Sequence, residues 1–221
     1  NGINWTKFIT NKGKEIRWMR CFRLEGSEAI DQSTNWKHWK NVEGVEQYSF
    51  IGDTGEYNFK VENVDQWHFI MSEIIAQGWE SEFNKDELFD IKIEKLNNKA
   101  LVELVEEVDY LSYVYEKEVK VSKENGLKAM KILMEQFVIL TSNLMTLKEL
   151  YEQYIIKNGL NFFRQENGYK EGTYIKEWGP NKIEDNLILK EYLNLGNEIK
   201  LDSIKDYLVK EYKRLNGVDL V

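Results

Sequence analysis

Two short acidic patterns carry the strongest chemical signal in the chain. Glu25-Gly26-Ser27-Glu28 reads E-x-x-E, and Glu62-Asn63-Val64-Asp65 reads E-x-x-D. Residues three apart on a helix project from neighbouring points of one face. Two such helices side by side would gather four carboxylates, and anions that close repel unless cations neutralise them. Hard oxygen donors select Mg2+ or Mn2+, ions that bridge in turn to substrate phosphates. The plainer alternative is a solvated helix face, because either pattern occurs by chance in helical proteins. At about 100° per residue, Glu25 and Glu28 fall on the side of Trp18, Cys21, Phe22 and Ala29. Acids among aromatic and small apolar residues are either buried and paired or hold metal. For the second pair the apolar stripe reads Val64, His68, Met71 and Ile75, with Trp67 and Ile74 at its edge. Glu62 and Asp65 lie to one side of it, on a flank that faces either a cavity or solvent.

A second cluster runs from Lys157 to Trp178. Lys157, Asn161 and Arg164 are spaced four and three apart and share a helix face. Such a face can hold phosphates with its cations and read a polar base edge with its amide, which offers both a donor and an acceptor. Tyr169, Tyr174 and Lys176 follow in a glycine-punctuated stretch able to fold over a ligand. A helix end with a solvated basic face is the competing reading.

Much chemistry is excluded. Cys21 is the only cysteine, so neither an internal disulfide nor a Cys-x-x-Cys zinc site exists. With only His38 and His68, a multi-histidine zinc site is not expected. The net charge of −8 disfavours a general nucleic-acid binder, although Trp36-Lys37-His38-Trp39-Lys40 interleaves aromatic and basic residues as single-strand binders do. The same acidic balance makes divalent metal the natural intermediary to a polyphosphate. No run of about 18 apolar residues and no signal peptide is visible, which points to a reduced, cytoplasmic setting.

The elements that must position these residues are helices. Apolar content of 42% supports a core, and Pro180 is the only proline, so long helices can run unbroken. The periodicity predicts helices over about 16–31, 59–76, 86–118 with a break near Asn97-Asn98, 127–141, 147–163, 187–195 and 202–215. Residues 1–16 carry turn signals, 48–58 reads as a loop or short hairpin, and 164–186 as irregular. The expected fold is all-α: a helical bundle built around the two acid-bearing helices, in one domain over 1–221. Residues 80–145, lacking site-like clusters, form a smaller helical lobe or an element for dimerisation.

Three blocks resemble the dimeric dUTPases. The first is Arg20-Cys21, Glu25-x-x-Glu28-x-Ile30-Asp31 and Trp36-Lys37-His38-Trp39-Lys40-Asn41. The second is Val61-Glu62-x-Val64-Asp65-x-Trp67-His68-Phe69. The third is Lys157-Asn158-x-Leu160-Asn161-x-Phe163-Arg164-Gln165-x-x-Gly168-Tyr169-x-x-Gly172-x-Tyr174-x-Lys176-x-Trp178, ending in Glu184-Asp185-Asn186. Together they cover roughly a third of the chain in the family's order; the acidic pairs alone indicate only the wider all-alpha nucleotide pyrophosphohydrolases.

The resemblance implies Mg2+-dependent cleavage of dUTP, and of dUDP, to dUMP, with Mn2+ as a substitute. It implies that Glu25, Glu28, Glu62 and Asp65 bind the metal. Lys157, Arg164, Tyr169 and Lys176 would contact phosphates, with Lys37 and Lys40 as further partners. Asn161 would read uracil, with His68 and Asn158 near the base. Of the acids, Glu28 is the expected general base and Glu25 its catalytic neighbour. A homodimer with shared sites is implied, with neither nucleic acid nor membrane as partner. Family members begin with a helix bearing Leu-Gln and Leu-Asn signatures, so further sequence is expected ahead of Asn1. Two other functions remain: a related pyrophosphohydrolase acting on dCTP or another nucleotide, and a non-enzymatic interaction protein using residues 80–145.

Overall fold

The computed structural model describes residues 3–4, 8–10, 12–37, 39, 43–44, 46, 48–83 and 95–217. Among them are seven α-helices and almost no strand, so the fold is all-α as the periodicity predicts. The helices are α1 (Trp18–Asp31), α2 (Gly55–Gln77), α3 (Asn98–Val121), α4 (Lys123–Leu144), α5 (Leu147–Glu166), α6 (Asp185–Asn194) and α7 (Leu201–Asn216). Two antiparallel pairs of two-residue strands complete it: β1 (Ile3–Asn4) with β2 (Ile9–Thr10), and β3 (Glu177–Trp178) with β4 (Ile183–Glu184). The chain divides into two compact units, Asn1–Leu147 and Lys148–Val221.

In the first unit α1 and α2 run antiparallel. At one end Ile51 N–H donates to Gln32 O (2.9 Å) and Asn58 Nδ2 donates to Gln32 Oε1 (3.3 Å). At the other, Trp18 stacks on Phe69 with ring centroids 6.2 Å apart. Helix α2 starts at Gly55, about a turn earlier than periodicity predicts, within the stretch read as a loop or hairpin. Asn97, where a break is expected, caps α3 by accepting from Ala100 N–H (2.9 Å). Residues 84–94, also expected to be helical, lie outside the described residues. Ser122 alone separates α3 from α4 and caps α4 through Asn125 N–H (3.0 Å), so the two form a tight helical hairpin. Phe22, Phe59, Val64, Ile70, Val105, Val108, Met130, Leu133, Phe137 and Leu140 make the core.

Helix α3 also packs on α1, because Gly26 has no side chain: a Cβ there would lie 2.6 Å from both Asp109 carboxylate oxygens. Burial pushes the Asp109 carboxyl up to about 7, with nearby Arg23 pulling the other way and Glu106 adding to the rise. A raised carboxyl binds more protons folded than unfolded. Stability therefore falls as pH rises from the ordinary carboxylate range to about 7, then levels off. Between about pH 5 and about pH 7 that loss is roughly 2–3 kcal/mol. Asp109→Asn should abolish this slope and melt higher than wild type at about pH 8. Parallel Tm–pH curves for the two proteins would contradict it.

The second unit has its own core: Ile156, Leu160 and Phe163 of α5, Trp178 of β3, Ile188, Leu189 and Tyr192 of α6, and Ile204 and Leu208 of α7. Gly159 lets α5 and α7 touch, since a Cβ there would sit 2.6 Å from Ile204 Cγ2. The stretch read as irregular between α5 and α6 contains the β3–β4 hairpin, which turns at Gly179-Pro180 and feeds directly into α6.

Candidate active site

The antiparallel pairing of α1 and α2 brings the acidic patterns together. One carboxylate oxygen from each of Glu25, Glu28 and Glu62 lies within 4.8 Å of the others, Glu25 and Glu62 half-buried and Glu28 exposed. Three carboxylates at this spacing, drawn from two helices, offer a hard, multidentate oxygen set suited to a divalent cation. Asp65, one turn on from Glu62, stands outside that trio; its Oδ1 is 3.9 Å from His68 Nδ1. The same His68 nitrogen donates to Val64 O at 2.9 Å, which fixes the ring on its own helix. Cys21 lies one turn before Glu25. Burial pushes its thiol up and the Glu25 charge adds to the shift, so the site holds no ready thiolate nucleophile.

Behind the acids lies a row of buried polar groups that apolar periodicity misses. The buried face of α2 carries Asn63, Gln66 and Glu73 alongside Phe59, Val64, Ile70 and Ile74. Ile75, expected in the stripe, is exposed, and His68 and Met71 are only half-buried. The apolar stripe is thus displaced because three polar residues occupy core positions. Thr141 of α4 donates to Asn63 Oδ1 (3.0 Å), and Gln66 Nε2 donates to Phe22 O of α1 (3.2 Å). Polar residues interleaved with acids on one helix were the available sequence signal.

In the second unit, α5 presents Lys157, Asn161 and Arg164 along one face, as their spacing predicts. Lys157 is buried and its Nζ donates to Asn186 Oδ1 at 3.2 Å. Arg164 is buried and grips Asp185 through Nε (2.8 Å) and Nη2 (2.7 Å). Its Nη1 faces Asn161 Oδ1 at 3.5 Å. Tyr174 O–H donates to the same Asp185 carboxylate (2.8 Å), and burial together with that charge pushes the phenol above its ordinary value, so it remains a donor. Asp185, at the start of α6, is thus the hub of this cluster, a role its place in the sequence does not announce. Tyr169 and Lys176 are exposed neighbours, the Lys176 ammonium 5.6 Å from the Tyr169 ring centre. Asn158 is half-buried on α5. Lys37 lies over the Trp36 ring (4.5 Å) and 3.9 Å from Asp31. Lys40 lies outside the described residues.

A family model described as dUTPase matches residues 3–169. The chain belongs to the dUTPase family. The match spans both acidic pairs and, on α5, Lys157, Asn161 and Arg164; Lys176 and Asp185 lie beyond it. No curated protein matches the chain. Membership makes it a dUTP diphosphatase, an enzyme that binds and hydrolyses dUTP, and dUTPases generally use a divalent metal ion. No helix among the described residues is long and apolar enough to cross a membrane.

Proposed function

We propose that the chain is a Mg2+-dependent enzyme that cleaves dUTP to dUMP and pyrophosphate, and dUDP to dUMP and phosphate, as a cytoplasmic homodimer. The observation that carries this reading is the meeting of Glu25, Glu28 and Glu62 across α1 and α2. These three acids, with Asp65 beside them, would hold the metal. When bound, the ion supplies charge neutralisation for the polyphosphate and Lewis acidity toward water.

Glu28, the exposed member of the trio, takes the proton from the attacking water, and the negative charge of Glu25 beside it favours holding that proton. Attack falls on the β-phosphorus; the bond to the α-phosphate oxygen breaks and dUMP departs. Lys157, Arg164, Tyr169 and Lys176 contact phosphate oxygens, where cations and phenols stabilise spreading charge. Lys37 and Lys40 serve as further phosphate partners. Asn161 reads the uracil imide edge, with Asn158 and His68 near the base. Asp185 bears on specificity, because the two hydrogen bonds it accepts from Arg164 Nε and Nη2 leave Nη1 facing the Asn161 amide.

A nucleotide panel assayed for pyrophosphate and phosphate release tests this. With Mg2+, dUTP and dUDP should turn over, and dCTP and dTTP should lag at least about a hundredfold in kcat/KM, as expected of a site that hydrogen-bonds its substrate. Comparable turnover of dCTP or dTTP would overturn the uracil assignment.

A further inference from the structure

The carboxylate trio draws on both α1 and α2, and a buried amide of α2 bonds across to α1. Gln66 is wholly buried on α2. It sits one turn after Glu62, on the helix face turned toward α1. Its Nε2 donates to Phe22 O (3.2 Å), the carbonyl that also accepts the helical hydrogen bond of Gly26. That turn of α1, from Phe22 to Gly26, contains Glu25. The amide therefore joins the turn bearing Glu25 to the turn bearing Glu62.

The same Nε2 is held from a third direction. Asp109 of α3 approaches it to 3.4 Å through Oδ1. The approach is possible because Gly26 is a notch: a Cβ there would lie 2.6 Å from both Asp109 oxygens and 2.8 Å from Gln66 Nε2. Three helices thus meet at the Nε2 of one amide, whose Oε1 is buried with no hydrogen-bond partner among the described residues. An amide bound this way has little freedom, and neither have the two turns it joins.

We propose that Gln66, held by Asp109 in the notch at Gly26, is a positioning residue that sets the α1–α2 spacing at which Glu25, Glu28 and Glu62 share a cation. This rests on the metal-site reading given above. Groups that orient metal ligands typically change metal affinity by about 10–100-fold when removed, and Gln66 acts on the helices that carry the ligands.

The test is Mn2+ binding to the full chain, followed by electron paramagnetic resonance well below the melting temperature, for wild type, Gln66→Met and Gln66→Asn. Methionine keeps the volume without the donor, and asparagine keeps the donor on a shorter arm. Both variants should bind Mn2+ about 10–100-fold more weakly, and dUTP turnover should recover in part when metal is raised. A merely structural role would lower Tm and leave Mn2+ affinity alone. Wild-type Mn2+ affinity in either folded variant overturns the proposal while leaving the metal site standing. Failure of wild-type protein to bind Mn2+ removes the metal reading, and the positioning role with it.

Discussion

Glu28→Gln should lower dUTP turnover by about 10²–10⁴-fold, the range general-base removal typically costs, while leaving the protein at least as stable as wild type. The replacement is isosteric and Glu28 is exposed, so no packing is lost. It also deletes one of three negative charges whose oxygens lie within 4.8 Å of one another. Ordinary folding offers no benefit from that crowding, and relieving it should raise Tm slightly. The opposite movement of activity and stability is what separates a functional acid from a structural one. Pyrophosphate release and a thermal melt on the same preparation check both halves. Retained turnover would remove Glu28 from the base role.

Asp185→Ala should destabilise the second unit by about 3–5 kcal/mol, the cost of orphaning one partner of a buried ion pair. Asp185 is 1% exposed and accepts from Arg164 Nε, Arg164 Nη2 and Tyr174 O–H. Removing its carboxylate takes the shared acceptor from a buried guanidinium and a half-buried phenol together. The double variant Arg164→Met/Asp185→Leu should regain part of the loss, because replacing both members with apolar residues removes the stranded charge. Urea unfolding followed by tryptophan fluorescence reports it, since Trp178 is buried in this unit's core. A shift below about 1 kcal/mol for the single variant would mean that the pair is worth no more than a surface salt bridge.

The contrast between α1 and α2 explains how much of this was legible. On α1 the acids stand among aromatic and small residues, and the helix, its ends and its acidic face follow from spacing alone. On α2 the wheel is misleading because Asn63, Gln66 and Glu73 are buried, so a stripe drawn through apolar residues points past the true core face. Asn63 and Gln66 find partners in Thr141 and Phe22, distant in sequence and foretold by no local pattern, while Glu73 accepts from the distant Tyr115 O–H and from Gln77 one turn on. The same holds for Asp185, which meets Arg164 only after the β3–β4 hairpin folds the chain back. That hairpin has two residues per strand, too few for alternation to register. The Lys157, Asn161, Arg164 face survives as expected because it depends only on helical period.

On the proposed reading, dUTP is held through a divalent ion fixed by acids from two helices. Calorimetric titration of a non-hydrolysable dUTP analogue, with and without Mg2+, into wild-type protein and Glu25→Gln/Glu62→Gln tests it most directly. Mg2+ should strengthen analogue binding to the wild type at least about tenfold, a coupling of about 1.4 kcal/mol, and leave binding to the double variant unchanged. Equal affinity with and without Mg2+ in the wild type would contradict it.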